Sequence, residues 1–137
     1  MPVRGIRGAT TAGENTPAAI VEATEELLIE LVSINQVDPA EVCFAYFTTS
    51  LDLDAEYPAL AARRMGWVDV PLLCGNDMVV AAPNPRAIEK AIRILLLHNT
   101  DRPQGEMRSA YLRGAQAIKA DLDLTKSELT EQELTGL

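Results

Sequence analysis

The sequence predicts an α+β fold, a single small domain in which helices pack on a β-sheet. Three observations predict it. The chain has 137 residues, enough for one compact core and too short for two ordinary domains. Two segments, Val3–Thr11 and Val42–Thr49, are dense in β-branched and apolar residues, as buried strands are. Between them Ile20, Leu27, Leu28, Leu31 and Ile34 recur near helical spacing, with Glu22, Glu25, Glu26 and Glu30 largely on the other side.

The elements follow in order. Val3–Thr11 carries Gly5 and Gly8 and reads as a strand running into a loop. Thr16 supplies a capping hydroxyl and Pro17 a first-turn proline, so a helix starts there and ends near Asn35. Asp38 and Pro39 turn the chain into the strand Val42–Thr49, and Thr48–Asp54 is loop. Tyr57–Met65, Ala-rich with Pro58 in its first turn, is a second helix that Gly66-Trp67 breaks. Val68–Cys74 is a strand whose Pro71 cannot donate to a ladder, which places it at an edge or a bulge. Pro83 and Pro85 mark a turn. A short helix over Arg86–Lys90 and a strand from about Ala91 fit the pattern up to Asn99. Asp101–Gly105 is a turn, Met107–Leu112 a short helix and Ala115–Ile118 a last strand. Residues 1–121 form the domain, and 122–137 are a polar, flexible C-terminal tail.

Apolar residues make up 47% of the chain and aromatics 4%, so the core is aliphatic. A formal charge of -8 lacks the basic footprint of a nucleic-acid binder. No apolar run approaches the ~20 residues that span a bilayer, so no membrane partner is expected. The N-terminus shows no apolar signal-peptide core. Cys43 and Cys74 form neither a disulfide framework nor a zinc spacing, which fits a reduced, cytoplasmic setting. Small αβ domains with open sheet edges often oligomerise.

A few residues stand out chemically. In RGIRGATT, Arg4 and Arg7 are framed by glycines, which suits a carboxylate or phosphate. Residues three apart on a strand face opposite sides, so at most one of them enters a given site. Taken alone, the motif is a solvated strand end. Arg63, beside Arg64, is by itself an ordinary surface charge. Arg93 is different: flanked by Ala91, Ile92, Ile94, Leu95, Leu96 and Leu97, it is costly to bury unless it meets an anion or solvent at an edge. Cys74 has no catalytic histidine nearby and reads as a small buried hydrophobe, and Asp77 as a loop cap. The single histidine, His98, lacks partners for a triad or a metal site. Residue types and spacing thus reach an oligomeric αβ domain with arginines suited to an acidic small molecule, and no named reaction.

The residues also occur as blocks in a familiar order: RGIRGATT at 4–11, Asp52-Leu53, Tyr57-Pro58-Ala59 with Arg63, Gly66-Trp67, Val70-Pro71 with Cys74, Ile92-Arg93, Asn99-Thr100-Asp101 with Pro103-Gln104, and Arg108 with Tyr111-Leu112. In these blocks, from about Val3 to Asp121, the chain resembles the monofunctional chorismate mutases of the trimeric pseudo-α/β-barrel class. The resemblance implies a mixed, ferredoxin-related β-sheet packed by helices, and a homotrimer with active sites between subunits. It implies the isomerisation of chorismate to prephenate without metal or other cofactor. It aims Arg93 at the ether oxygen and pairs it with the carboxylate at position 77. It sets Arg7, Arg63 and Tyr111 at the substrate carboxylate end, Tyr57 and Ala59 as an apolar wall, Cys74 at the ring hydroxyl and Lys119 as the cation from the C-terminal part.

The chain departs from the family pattern in several places. Asp77 replaces a glutamate and is shorter by one C–C bond, about 1.5 Å. The stretch from Asp77 to Arg93 is a few residues longer than usual, Tyr57 replaces a phenylalanine, Leu60 a lysine, and Lys119 an arginine. Two further readings compete. One is a catalytically weak mutase homologue. The other is a trimer that hydrolyses imines or simply binds an acidic small molecule.

Overall fold

The computed structural model describes residues 1–120 and Leu122. Its five strands are β1 (Val3–Thr11), β2 (Val42–Thr49), β3 (Leu72–Asn76), β4 (Ala91–Asn99) and β5 (Ala110–Tyr111); its helices are α1 (Pro17–Asn35) and α2 (Ala59–Arg64). The sheet order is β3-β2-β4-β1-β5. β4 runs antiparallel to both neighbours, whereas β2 with β3 and β1 with β5 are parallel. The sheet is therefore mixed, and α1 carries the chain from β1 past β4 to β2.

α1 begins as its sequence dictates. The Thr16 hydroxyl accepts the Ala19 N–H at 3.2 Å, and Pro17 occupies a position whose own N–H would have no partner. Ile20, Val21, Ala23, Thr24, Leu27, Leu28, Leu31 and Asn35 form its buried stripe. The helix stops at Gln36, which turns left-handed (φ 52°) and returns its N–H to the Val32 carbonyl. α1 can lie close to β1 because of Gly8, where a Cβ would stand 2.9 Å from the Ala110 carbonyl oxygen and 3.1 Å from methyls of Leu27 and Leu31.

Both helices cover one face of the sheet. Ile6, Phe47, Ile94 and Leu96 point into that layer with Leu27, Leu28, Leu31 and Trp67. Alternation along the strands sends Arg7, Ala9, Tyr46, Thr48, Leu73, Arg93 and Leu95 to the other face. Neither α1 nor α2 covers that face; the 78–90 loop and the turn 116–120 border part of it, and Leu73 and Leu95 remain 59% and 39% exposed there.

Several elements differ from the sequence expectation. The second helix is shorter than Tyr57–Met65, because Tyr57 and Pro58 precede its first turn. The strand expected over Val68–Cys74 lies at Leu72–Asn76. Pro71 sits just before it and gives only its carbonyl, which accepts the Ala45 N–H at 3.0 Å. β3 is an edge strand, one of the two positions expected for a strand beside that proline. No helix forms over 86–90: the Asn84 side chain accepts the Arg86 N–H at 2.9 Å and closes a local turn, and Lys90 adopts φ 49° directly before β4. Met107–Leu112 is not helical either. Buried Asn35 accepts the Arg108 N–H and donates to the Arg108 carbonyl, both at 2.8 Å, which holds the chain extended so that Ala110–Tyr111 pairs with β1. Ala115–Ile118 is not a strand: Arg113–Ala115 forms a 3₁₀ turn and 116–120 continue as helix. The C-terminal tail expected from 122 lies, Leu122 apart, outside the described residues.

Buried His98 should make the fold sensitive to acid. His98 on β4 is 4% exposed, and its Nε2 accepts the Asp38 N–H at 3.3 Å. Burial, aided by the nearby Arg102 charge, lowers its pKa against the opposing pull of Asp38 and Glu41. A histidine whose folded-state pKa is depressed stabilises the fold fully above its unfolded value and loses that contribution as pH falls below about 6.5. In urea unfolding at pH 7.5 and pH 5.5, the wild-type chain should therefore lose more stability than His98→Gln, which keeps an acceptor and cannot titrate. Equal losses in both proteins would remove His98 as the cause.

Candidate active site

The ends of β2 and β3, the start of β4, the 78–90 loop and the turn 116–120 surround a cleft of about 830 Å³ on the side of the sheet opposite α1 and α2. Arg7, Thr48, Asp77 and Arg93 line its polar part; Met78, Val79, Val80 and Ile118 line its apolar part. The sheet register explains the convergence. Tyr111, Ala9, Arg93, Thr48 and Gly75 form one row across all five strands, and Arg7, Leu95, Tyr46 and Leu73 form the next. Gly75 leaves room in this surface for the Tyr46 ring: a Cβ there would fall 2.3 Å from the Tyr46 hydroxyl.

Arg93 makes its ion pair through Nε, 3.1 Å from Asp77 Oδ2. Their side chains are 33% and 16% exposed, so the pair sits at the rim of a partly dry cleft rather than in the core. Among the described residues, Nη1 and Nη2 of Arg93 have no hydrogen-bond partner, which leaves four N–H donors free at one end of the guanidinium. The other carboxylate oxygen of Asp77, Oδ1, accepts a hydrogen bond from the Thr48 hydroxyl. The Asp77 backbone N–H donates to the Thr49 carbonyl at 2.8 Å and so extends the β2–β3 ladder by one residue. The shorter carboxylate thus reaches Arg93 because its backbone is still part of the sheet.

Asp52, an exposed residue, lines the same cleft. It accepts the Ser50 hydroxyl at 2.5 Å and the Lys90 N–H at 2.9 Å. Burial would raise its carboxyl, but these two bonds and the Lys90 charge prevail and hold it below the ordinary carboxylate range. Ser50 Oγ also accepts the Ala91 N–H at 2.8 Å, so the strand carrying Arg93 starts at a fixed register.

Arg7, Asp77 and Arg93 are thus brought together, with Tyr111 in the same row as Arg93. Arg4 is not part of the site: its Nε donates to the Arg102 carbonyl at 2.9 Å, on the opposite face, as the spacing of the two arginines requires. Cys74, Ala59 and Arg63 form a second group outside the cleft. Burial pushes the Cys74 thiol pKa up, against the Ala59 N–H at its sulfur and the Arg63 charge. Tyr57, 70% exposed, stands at the entry to α2 beside this group. Lys119 is exposed on the helical turn 116–120, whose Ala117 and Ile118 line the cleft. The sequence reading missed Thr48. A threonine near the end of a strand carries no signal of its own, and only its register opposite Arg93 could have flagged it. Among the described residues no group of three or more His, Cys, Asp or Glu is placed to hold a metal ion, and no helix is long and apolar enough to cross a membrane.

Comparison with known proteins agrees with this geometry. The chain is 43% identical over 122 residues to the chorismate mutase AroH of Thermus thermophilus, covering 88% of this chain and 97% of that protein. It is 36% identical over 128 residues to the chorismate mutase AroH of Bacillus subtilis strain 168, covering 93% and 98%. A solved chorismate mutase from Clostridium thermocellum superposes with a TM-score of 0.77 at 39% identity, over 82% of this chain and 96% of that one. The model of the family "Chorismate mutase type I" matches residues 3–122, and the chain belongs to that family, whose enzymes isomerise chorismate to prephenate.

Proposed function

We propose that the chain rearranges chorismate to prephenate in clefts between the subunits of a homotrimer, each cleft combining the Arg93 group of one chain with the Arg63 group of the next. The observation that carries this reading is the pose of Arg93: it lines the cleft, Asp77 holds its Nε, and among the described residues Nη1 and Nη2 have no hydrogen-bond partner. The reaction is unimolecular. The ether C–O bond of the substrate breaks as a C–C bond forms, no proton is transferred, and no cofactor enters the balance. What protein can add is restraint of the compact conformer and stabilisation of the negative charge that grows on the ether oxygen. Arg93 is the donor set for that charge. Asp77 fixes Arg93 and accepts from the ring hydroxyl.

Arg7 and Tyr111 bind carboxylate from the Arg93 side. Arg63, Tyr57, Ala59 and Cys74 close the cleft from the neighbouring chain, and Lys119 adds a cation from the C-terminal part. Two features support the interfacial placement. The two groups occupy different parts of one chain, and the sheet face bearing Arg93 exposes Leu73 and Leu95, which a second copy would cover. An acidic protein can bind a dicarboxylate here, because a few arginines at contact range outweigh distant charges screened by salt. Both cysteines are unpaired thiols, which supports a cytoplasmic location.

The test is the loss of chorismate absorbance on adding purified protein in chelator-treated buffer, with prephenate identified by its acid conversion to phenylpyruvate. Saturable turnover is expected. A folded protein that binds chorismate without turnover would move the chain to an acidic-ligand binder.

A further inference from the structure

We infer that Thr48 is a positioning residue for the reaction, acting through Asp77 to set the orientation of Arg93. The inference rests on the proposed roles of Arg93 and Asp77 and deepens them. Thr48 lies on β2 directly opposite Arg93 on β4 and opposite Gly75 on β3, two residues before Asp77. It therefore lies on the strand between β3, which leads into Asp77, and β4, which carries Arg93. Its hydroxyl donates to Asp77 Oδ1 while Arg93 Nε donates to Asp77 Oδ2. Each carboxylate oxygen thus has one partner on a different strand, and two such anchors fix the carboxylate plane, which one alone cannot do. That plane determines where the Arg93 fork points, because the ion pair runs through Nε, and Nη1 and Nη2 follow rigidly in a planar guanidinium.

The carboxylate here is an aspartate, with a single methylene between backbone and charge. Its backbone is held by the Thr49 carbonyl, so the side chain has only χ1 and χ2 with which to reach Arg93. Without the hydroxyl, Oδ1 faces the cleft unpaired and the carboxylate is free to rotate toward water. No atom of Thr48 need touch substrate for this effect.

The test compares Thr48→Val, which keeps the branched shape and removes the donor, with Thr48→Ser, which keeps the donor. A hydrogen bond to a charged group is strong enough for its loss to lower kcat by about tenfold. The expected result is that loss in Thr48→Val, KM within about twofold of wild type, an unchanged melting temperature, and recovery in Thr48→Ser. Because the effect passes through the carboxylate, Thr48→Val should cause no further loss when added to Asp77→Ala. A Thr48→Val enzyme with wild-type kcat, an equal loss in Thr48→Ser, or undiminished additivity with Asp77→Ala would each overturn the inference. If Arg93→Ala turned out to be fully active, the proposed roles themselves would fail, a result distinguishable from a failure at Thr48 alone.

Discussion

Arg93→Ala should reduce kcat by at least about 100- to 1000-fold while leaving a folded protein with an unchanged oligomeric state. The size of the effect follows from the site's chemistry. A rearrangement with no nucleophile and no proton transfer offers little for a protein to stabilise besides developing charge, and Arg93 lines the cleft with four N–H donors that have no partner among the described residues. Folding should survive because the pair is not in the core. Arg93 is one-third exposed, and Asp77 keeps its Thr48 hydrogen bond and a path to water after the truncation. The core on the other face, built on Phe47, Ile94, Leu96 and α1, does not touch it.

Arg93→Lys separates charge from geometry. A lysine keeps the positive charge but has a single nitrogen, which cannot both pair with Asp77 and present a fork to the ether oxygen. Its kcat should be about a tenth of wild type or less. Near-normal rates in the lysine variant would mean that the cleft needs a cation and no particular donor arrangement. Near-normal rates in the alanine variant would remove Arg93 from the chemistry.

Arg93 was legible in the sequence because an arginine inside an aliphatic run contradicts its own environment, and such conflicts collect at functional sites. β1, α1, β2 and β4 were legible for the complementary reason. Their periodicity, the Thr16–Pro17 start and the β-branched runs all agree with the burial observed. The segments misread are those decided by distant residues. Met107–Leu112 has a helical look, yet Asn35, more than 70 positions away, fixes the backbone of Arg108 and leaves Ala110–Tyr111 to pair with β1. Residues 86–90 are governed by one asparagine side chain and one left-handed lysine. Thr48 lies in a strand whose position was read correctly, but its partner is set by the register of three strands, which no local pattern encodes.

Chains that are separately inactive should restore activity to each other. Arg93→Ala removes the donor from one group and Arg63→Ala the cation from the other, so in the proposed homotrimer every cleft of either variant is incomplete. In a ring closed by head-to-tail contacts, each cleft takes its Arg93 group from one chain and its Arg63 group from the next. Refolding the two variants together, each with a different affinity tag, and retaining only trimers that carry both tags gives a two-to-one mixture of chains in every ring. Going round such a ring, one cleft in three joins the two intact groups, so the expected activity is about a third of wild type. The separation of the groups on one chain is what makes this result informative. Cys74 and Arg63 sit together by α2, on the helix-covered side, whereas Arg7, Asp77 and Arg93 line the cleft on the open face. Doubly tagged trimers no more active than the two parent variants would mean that each chain completes its own site. The exposed face carrying Leu73 and Leu95 would then have to be covered for reasons unrelated to catalysis.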